Sequence, residues 1–199
     1  MRQLVLATRN QHKVRELENL LGGLDLKILT MEDFPMIGEV VEDQETLEGN
    51  ARKKAREVFR QANLPTLADD TGLEVYYLNG APGVFSARFA GPGASYSDNC
   101  RKLLTAMRGV PARRRNAQFR CVLAFAANEV DRIVEGTVFG NIIEFPRGSG
   151  GFGYDPLFVP AGHNETLAEM QFAKKNEMSH RALALQAIKP ILIEYFHRG

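Results

Sequence analysis

Two adjacent carboxylates end a short apolar run in Thr66-Leu67-Ala68-Asp69-Asp70-Thr71-Gly72, and few features restrict a fold as tightly. Leu67 and Ala68 read as the end of a buried strand, Thr71 and Gly72 as a turn, and Leu73 to Leu78 as the next strand. Successive strand side chains point to opposite faces, so Asp69 and Asp70 cannot do the same job. In the chemical reading one carboxylate faces a cleft while the other accepts backbone hydrogen bonds in the turn. In the structural reading the four residues form an Asx turn and nothing more. Other segments favour the first, because they too carry ion-binding groups at the ends of elements.

Gln3 to Thr8 is a compact apolar strand. The polar stretch Thr8-Arg9-Asn10-Gln11-His12-Lys13 follows and leads into a helix striped by Val14, Leu17, Leu20 and Leu21, stopped at Gly22-Gly23. Asn10 is the natural N-cap and Lys13 lies one turn in. A strand, a short loop and a helix N-terminus with a lysine make an anion site suited to phosphate. A plain connection with a capping Asn is the alternative, and the absence of glycine rules out a Walker loop. Leu24 to Leu29 reads as a second strand. Glu39, Glu42, Asp43 and Glu45 then gather in a loop, either as a solvated acidic stretch or as carboxylates for a hard cation such as Mg²⁺. Thr46 caps a helix striped by Leu47, Ala51, Ala55, Val58, Phe59 and Ala62. Arg52, Lys53, Lys54 and Arg56 form its solvated face.

The turn-rich segment 81–93 carries Phe85, Arg88 and Phe89 and reads as an ordered active-site or interface loop. Ser97 or Asp98 opens a helix with Leu103, Leu104 and Met107. Arg113-Arg114-Arg115 reads as a solvated turn. Asn116 to Ala127 is the longest strand, pairing as a hairpin with Val130–Val138, and Ile142 to Phe145 is a further short strand. Cys121 reads as a small core hydrophobe. Gly148, Gly150, Gly151 and Gly153 let backbone approach a ligand closely. Phe152 and Tyr154 can stack on a flat base, and Asp155 can accept hydrogen bonds from its edge. Thr166 and Glu169 form a capping box for a short helix. Ser179 caps a last helix striped by Ala182, Leu185, Ile188, Leu192 and Phe196, with a kink expected at Pro190. Lys175, His180 and Arg181 thus cluster at a second helix N-terminus. Cations are disfavoured there, which suggests an anionic partner.

The chain has 199 residues, enough for one domain or one domain with two lobes. A net charge of +1 provides no broad basic field for nucleic acid. The two cysteines and the absence of a signal-like N-terminus suggest a cytosolic protein with free thiols. No apolar run approaches the roughly 18 residues of a membrane span.

Four motifs stand in order: Thr8-x-Asn10-x-x-Lys13, Ala68-Asp69-Asp70-Thr71-Gly72-Leu73, Gly151-Phe152-Gly153-Tyr154-Asp155-Pro156 and Ser179-His180-Arg181. With Ala81 to Arg88 between them, they resemble the Ham1-like family of inosine/xanthosine triphosphate pyrophosphatases, from residue 3 to about residue 195. The resemblance implies one α/β domain over residues 1–199: a long, curved mixed β-sheet flanked by helices, in two lobes with a central cleft, usually as a homodimer. It implies Mg²⁺-dependent hydrolysis of deaminated purine nucleoside triphosphates (ITP, dITP, XTP) to monophosphate and pyrophosphate. Asp70 becomes the catalytic base and a metal ligand. Glu42, with Glu45 second, becomes the acidic metal ligand. Thr8, Arg9, Asn10, Gln11, His12 and Lys13 hold the triphosphate, the intervening residues through backbone amides. Thr71 stands where many members have Ser and keeps the hydroxyl. Lys175 aligns with the lysine five positions before the histidine. His180 and Arg181 read the purine 6-oxo edge, with Phe152, Gly153, Tyr154 and Asp155 around the base. A nucleotide-binding regulatory module without turnover is the other functional reading.

Overall fold

The computed structural model describes residues 2–198. Six strands form one sheet in the order β2-β1-β3-β4-β5-β6. β1 (Gln3–Leu6) runs parallel to β2 (Lys27–Thr30), with Gln3 opposite Lys27, and parallel to β3 (Thr66–Val75), with Val5 opposite Thr66. Parallel neighbours need crossover connections. Here α1 (Gln11–Leu21) and α2 (Leu47–Ala62) supply them. β4 (Asn116–Ala127) and β5 (Val130–Ile142) are neighbours joined by Asn128-Glu129, a hairpin link in which Glu129 takes φ 56. β6 (Phe158–Pro160) is antiparallel to β5, with Ile142 opposite Phe158. The sheet is mixed and flanked by helices, as the family resemblance implies.

The chain packs as two compact units. The first holds residues up to 70, then 121–136 and those from 181 onward; the second holds 71–120 and 137–180. In the first, the strand rows Leu4/Leu6, Leu67 and Cys121/Leu123/Phe125 are buried against Val14, Leu17 and Leu21 of α1. Ala184, Leu185, Ile188 and Leu192 of α5 (His180–Arg198) join the same core. A period of two on the strands meets a period of 3.6 on the helices, and each leucine so covered contributes roughly 1.5–3 kcal/mol. α1 starts where Asn10 Oδ1 accepts from the His12 amide at 3.0 Å. α2 starts where Thr46 Oγ accepts from the Gly49 amide at 3.0 Å.

In the second unit, Phe119 meets Phe158 edge-on at 4.8 Å. α3 (Tyr96–Ala106) begins in a capping box between Ser95 and Asp98, one to two residues before the expected start. Arg115 is not part of a solvated turn. It is buried and donates to the carbonyls of Met107, Ile142 and Ile143 at 2.7–3.0 Å, so one guanidinium ties the end of α3 to the end of β5.

The structure corrects several boundaries. Asp69 to Gly72 form no turn: β3 runs unbroken from Thr66 to Val75, because its carboxylates find cations inside the protein and need no solvated bend. Leu24 and Leu26 lie before β2, where Leu24 N–H donates to Leu21 and Leu26 N–H to Leu24. Ile142 ends β5, and 143–145 is not a strand. Thr166 and Glu169 do make the reciprocal bonds of a capping box, at 2.8 and 3.2 Å, but these close a turn with no helix behind it. Lys174 and Lys175 lie within a seven-residue helix, α4 (Phe172–Met178), with Ser179 as the link to α5.

Candidate active site

Asp69 and Asp70 sit on β3 in the first unit, and the strand separates their environments. Asp69 continues the row of Leu67 toward α1 and α5. Its carboxylate pairs with Lys13 at 3.0 Å and with Arg181 at 3.2 Å. Burial pushes the Asp69 carboxyl up, but Lys13, Arg181 and Lys54 outweigh it and hold the group well below the usual carboxylate range. Asp69 is therefore a fixed anion and a poor proton acceptor.

Asp70 points the other way, toward α2. It is 6% exposed, and its Oδ1 lies 3.3 Å from Lys54 Nζ. Its Oδ2 is buried and makes no hydrogen bond. Burial raises the Asp70 pKa against the pull of Lys54 and Lys13, with Glu42 and Asp69 adding to the rise. A buried carboxylate with raised basicity and an oxygen free of donors is equipped to take a proton from water.

Lys54 lies at the centre of this arrangement and was read from sequence as part of a solvated face. It is only 8% exposed. Its ammonium donates to Glu42 Oε1 at 2.6 Å, to the Asp69 carbonyl at 2.6 Å and to Asp70 Oδ1. The signal was present in the α2 stripe. Lys54 is three residues after Ala51 and four before Val58, on the apolar side. Glu16 was missed in the same way: it is buried between Val14 and Leu17 on α1 and pairs with Arg181. A charge inside an apolar stripe marks a buried ion pair. Glu45 is exposed, and Glu42 is the acidic-loop residue that joins Asp70 through Lys54. Burial raises the Glu42 carboxyl, and Lys54 overcomes this and lowers it.

The loop before α1 uses part of its own hydrogen-bonding capacity. Thr8 Oγ accepts from the Asn10 amide at 3.2 Å, and Asn10 Oδ1 takes the His12 amide, so two of the amides expected to meet an anion bond within the loop. Arg9 donates to the Ile37 carbonyl at 2.7 Å, and Gln11 donates to Glu32 at 2.6 Å. Both side chains anchor residues 31–37, and His12 is exposed.

In the second unit, Phe152, Gly153, Tyr154 and Asp155 form a loop braced from several sides. Asp155 Oδ2 accepts from the Phe152 amide at 2.9 Å and from buried Lys175 at 2.8 Å. Lys175 Nζ lies 5.2 Å from the centre of the Phe152 ring. Cys100 Sγ donates to the Gly153 carbonyl at 3.3 Å, and burial together with nearby Asp155 pushes its thiol up to about 11. Gly151 is required here: at φ 68, an added Cβ would fall 2.0 Å from Asp155 Oδ2. Two expectations change. Tyr154 is 3% exposed and donates to the Ser86 carbonyl at 2.9 Å, so its ring is a buried anchor and offers no stacking surface. Asp155 is spent on Lys175 and the loop amide. Thr71 is half-buried on β3, and buried His180 stacks on Phe119 at 4.7 Å and 15°.

Arg181 also differs from expectation. It is 0% exposed, and its guanidinium lies between Glu16 and Asp69. Meeting a base would require those contacts to open.

The Ham1 family model matches residues 4–191. The chain belongs to the Ham1 family. A Geobacter sulfurreducens protein named dITP/XTP pyrophosphatase is 46% identical over 190 residues, covering 95% of this chain and 96% of the relative. A Thermoanaerobacter sp. protein of the same name is 42% identical, covering 96% and 97%. A solved HAM1 protein from Coxiella burnetii superposes with a TM-score of 0.89 at 40% identity, over 98% of this chain and all of that one. The Staphylococcus aureus Ham1 protein superposes at 0.86 with 33% identity, over 96% and 98%. In this Ham1 protein, no three His, Cys, Asp or Glu side chains among the described residues form a preassembled metal cluster.

Proposed function

We propose that this Ham1 protein hydrolyses deaminated purine nucleoside triphosphates (ITP, dITP and XTP) to the monophosphate and pyrophosphate, acting as one catalytic domain. The division of labour between Asp69 and Asp70 carries this reading. One carboxylate is locked to cations, while its neighbour is raised in pKa and keeps an oxygen without a donor. The names of relatives at 42–46% identity support the same reaction and substrate class.

In this reading Asp70 orients water and takes its proton as the oxygen attacks the α-phosphorus. The α–β phosphoanhydride bond breaks and pyrophosphate leaves. Lys13 and Lys54 supply positive charge where phosphate charge builds. Asp69 holds Lys13 in place. Phe152 offers a ring face to the purine, with Lys175 and Asp155 fixing its loop, and His180 donates to the 6-oxo group. Arg181, at the start of α5, serves this site by fixing Asp69 on β3.

Mg²⁺ fits the residues present. Mg²⁺ takes one or two carboxylates and leaves its other positions to water and phosphate. Asp70 Oδ2 is an unbonded buried carboxylate oxygen, Glu42 lies on the far side of Lys54, and a larger cluster is not needed. When bound, the ion neutralises phosphate charge. We further propose a homodimer, supported by the exposed rings of Tyr76, Tyr77 and Phe85 in the second unit. A cytoplasmic location is supported by the free thiols Cys100 and Cys121. Among the described residues, no helix is long and apolar enough to cross a membrane.

The test is a panel of nucleotides with Mg²⁺ and separation of products. Equal amounts of inosine monophosphate and pyrophosphate are expected from ITP, with far less from ATP and GTP. Diphosphate with free phosphate would make the protein a γ-phosphohydrolase, and tight binding without products would favour the regulatory module. A second expectation concerns the loop. Gly151→Ala forces Asp155 aside, so KM for ITP should rise about tenfold or more, with a smaller change in kcat. An unchanged KM would remove this loop from substrate binding.

A further inference from the structure

Lys54 is placed where a cation binds. An ammonium has three N–H donors, and all three are used: on Glu42 Oε1 at 2.6 Å, on the Asp69 carbonyl at 2.6 Å and on Asp70 Oδ1 at 3.3 Å. Three oxygens from two chain segments, the acidic loop and β3, converge on one nitrogen, and the lysine side chain is itself nine-tenths enclosed. Two of those oxygens belong to the carboxylates that would receive a divalent ion. An ion held by both, with Asp70 offering its open Oδ2, would lie within a few ångströms of the ammonium that joins the two carboxylates. A dication that close in a dry setting repels the ammonium strongly. In the nucleotide-free protein Lys54 has nowhere better to go, because its ammonium is enclosed by Glu42, the Asp69 carbonyl and Asp70. An arriving phosphate changes this balance by offering the ammonium new anionic oxygens.

We propose that Lys54 is an internal counter-ion that keeps divalent metal off Asp70 and Glu42 until nucleotide phosphate draws its ammonium away. Metal and nucleotide then bind with positive coupling, and each must strengthen the other by the same factor. The metal enters as a metal–nucleotide complex and does not wait in the free protein. This inference rests on the proposed metal-dependent reaction, but it makes its own claim about the protein without nucleotide.

The experiment measures Mn²⁺ binding to the purified, nucleotide-free protein by the loss of the free-ion electron paramagnetic resonance signal. The unsubstituted protein should bind weakly. Lys54→Met, neutral and of similar length, should bind about tenfold more tightly or better, while Lys54→Arg should remain weak. Adding Asp70→Asn to Lys54→Met should abolish the gain, which places the ion at that carboxylate. Circular dichroism checks folding, and Lys54→Gln replaces the Met variant if that one does not fold. Equal affinity in the neutral variant and the parent overturns the proposal. So does tight binding by the parent alone, or a gain that survives Asp70→Asn. Because no nucleotide is present, these outcomes are read separately from pyrophosphate release. A protein that fails to hydrolyse ITP loses the proposed activity, while the metal comparison still decides the role of Lys54.

Discussion

Asp70→Asn should lower turnover of ITP by about 10²–10⁴-fold, the range a positioned general base supplies, in a protein that remains folded. The amide keeps the shape of the side chain but cannot accept a proton from water. The same substitution should make the metal-free protein more resistant to heat. Burial raises the Asp70 pKa in the folded state, so ionising it there costs stability that the unfolded chain does not lose. Above the folded pKa the full penalty applies to the parent. As the pH falls through that pKa the parent takes up its proton and the penalty fades. It is gone below the unfolded carboxylate value of about 3.9. The melting-temperature gap between Asn variant and parent should therefore be greatest near neutral pH and close toward acid. Near-normal activity in a folded Asp70→Asn protein would remove Asp70 from the chemistry. A variant that melts below the parent at neutral pH would mean that its pairing with Lys54 outweighs its burial.

Arg181→Ala should have the larger effect on stability. The substitution leaves Glu16 and Asp69 buried with much of their compensation gone, and breaking a buried pair from one side typically costs about 3–5 kcal/mol. For a chain of this size that corresponds to a loss of roughly 10 °C in melting temperature. Lysine should restore little, because one ammonium cannot bridge two carboxylates as a planar guanidinium does. Any folded fraction should turn over ITP and ATP with losses of similar factor, since the damage lies in the placement of Asp69 and Lys13. A selective loss of ITP activity with the melting temperature intact would instead return Arg181 to base reading.

The sequence was most informative where one physical rule acts locally. Asn10 and Thr46 cap their helices as their side chains and following stripes require. Asn116 to Ala127 forms the strand its sequence predicts, and Cys121 lies inside. It misled where polar residues are held by distant partners. The Asp69-Asp70-Thr71-Gly72 stretch has the composition of a turn, but Lys13, Arg181 and Lys54 reach it from α1, α5 and α2, and the strand continues. Lys54 and Arg115 read as surface charges because their neighbours in sequence are charged, and Glu16 stood out only by its place in the α1 stripe. Most of their partners lie 8 to 165 positions away in the chain, beyond any local pattern. Tyr154 and Asp155 were assigned to a ligand on side-chain chemistry alone. The interior had already claimed both, through Ser86 and Lys175.

Two carboxylates of identical chemistry acquire opposite characters on β3 only because one has an odd number and the other an even one. The strand works as a parity code: odd positions face one set of helices and even positions the other. Deleting one residue upstream within Thr66–Ala68 would not merely shorten the strand. It would exchange the two addresses, bringing Asp70 to Lys13 and Arg181 and placing Thr71 opposite Lys54. The composition would barely change, and every helix would still have an apolar stripe to bury, but the carboxylate left on the side of Lys54 would be Asp69, two positions short of the place Asp70 holds now. The arithmetic of the backbone is thus as much a catalytic specification as any side chain, and frame-preserving deletions in this short stretch should be tolerated far less than point substitutions beside it.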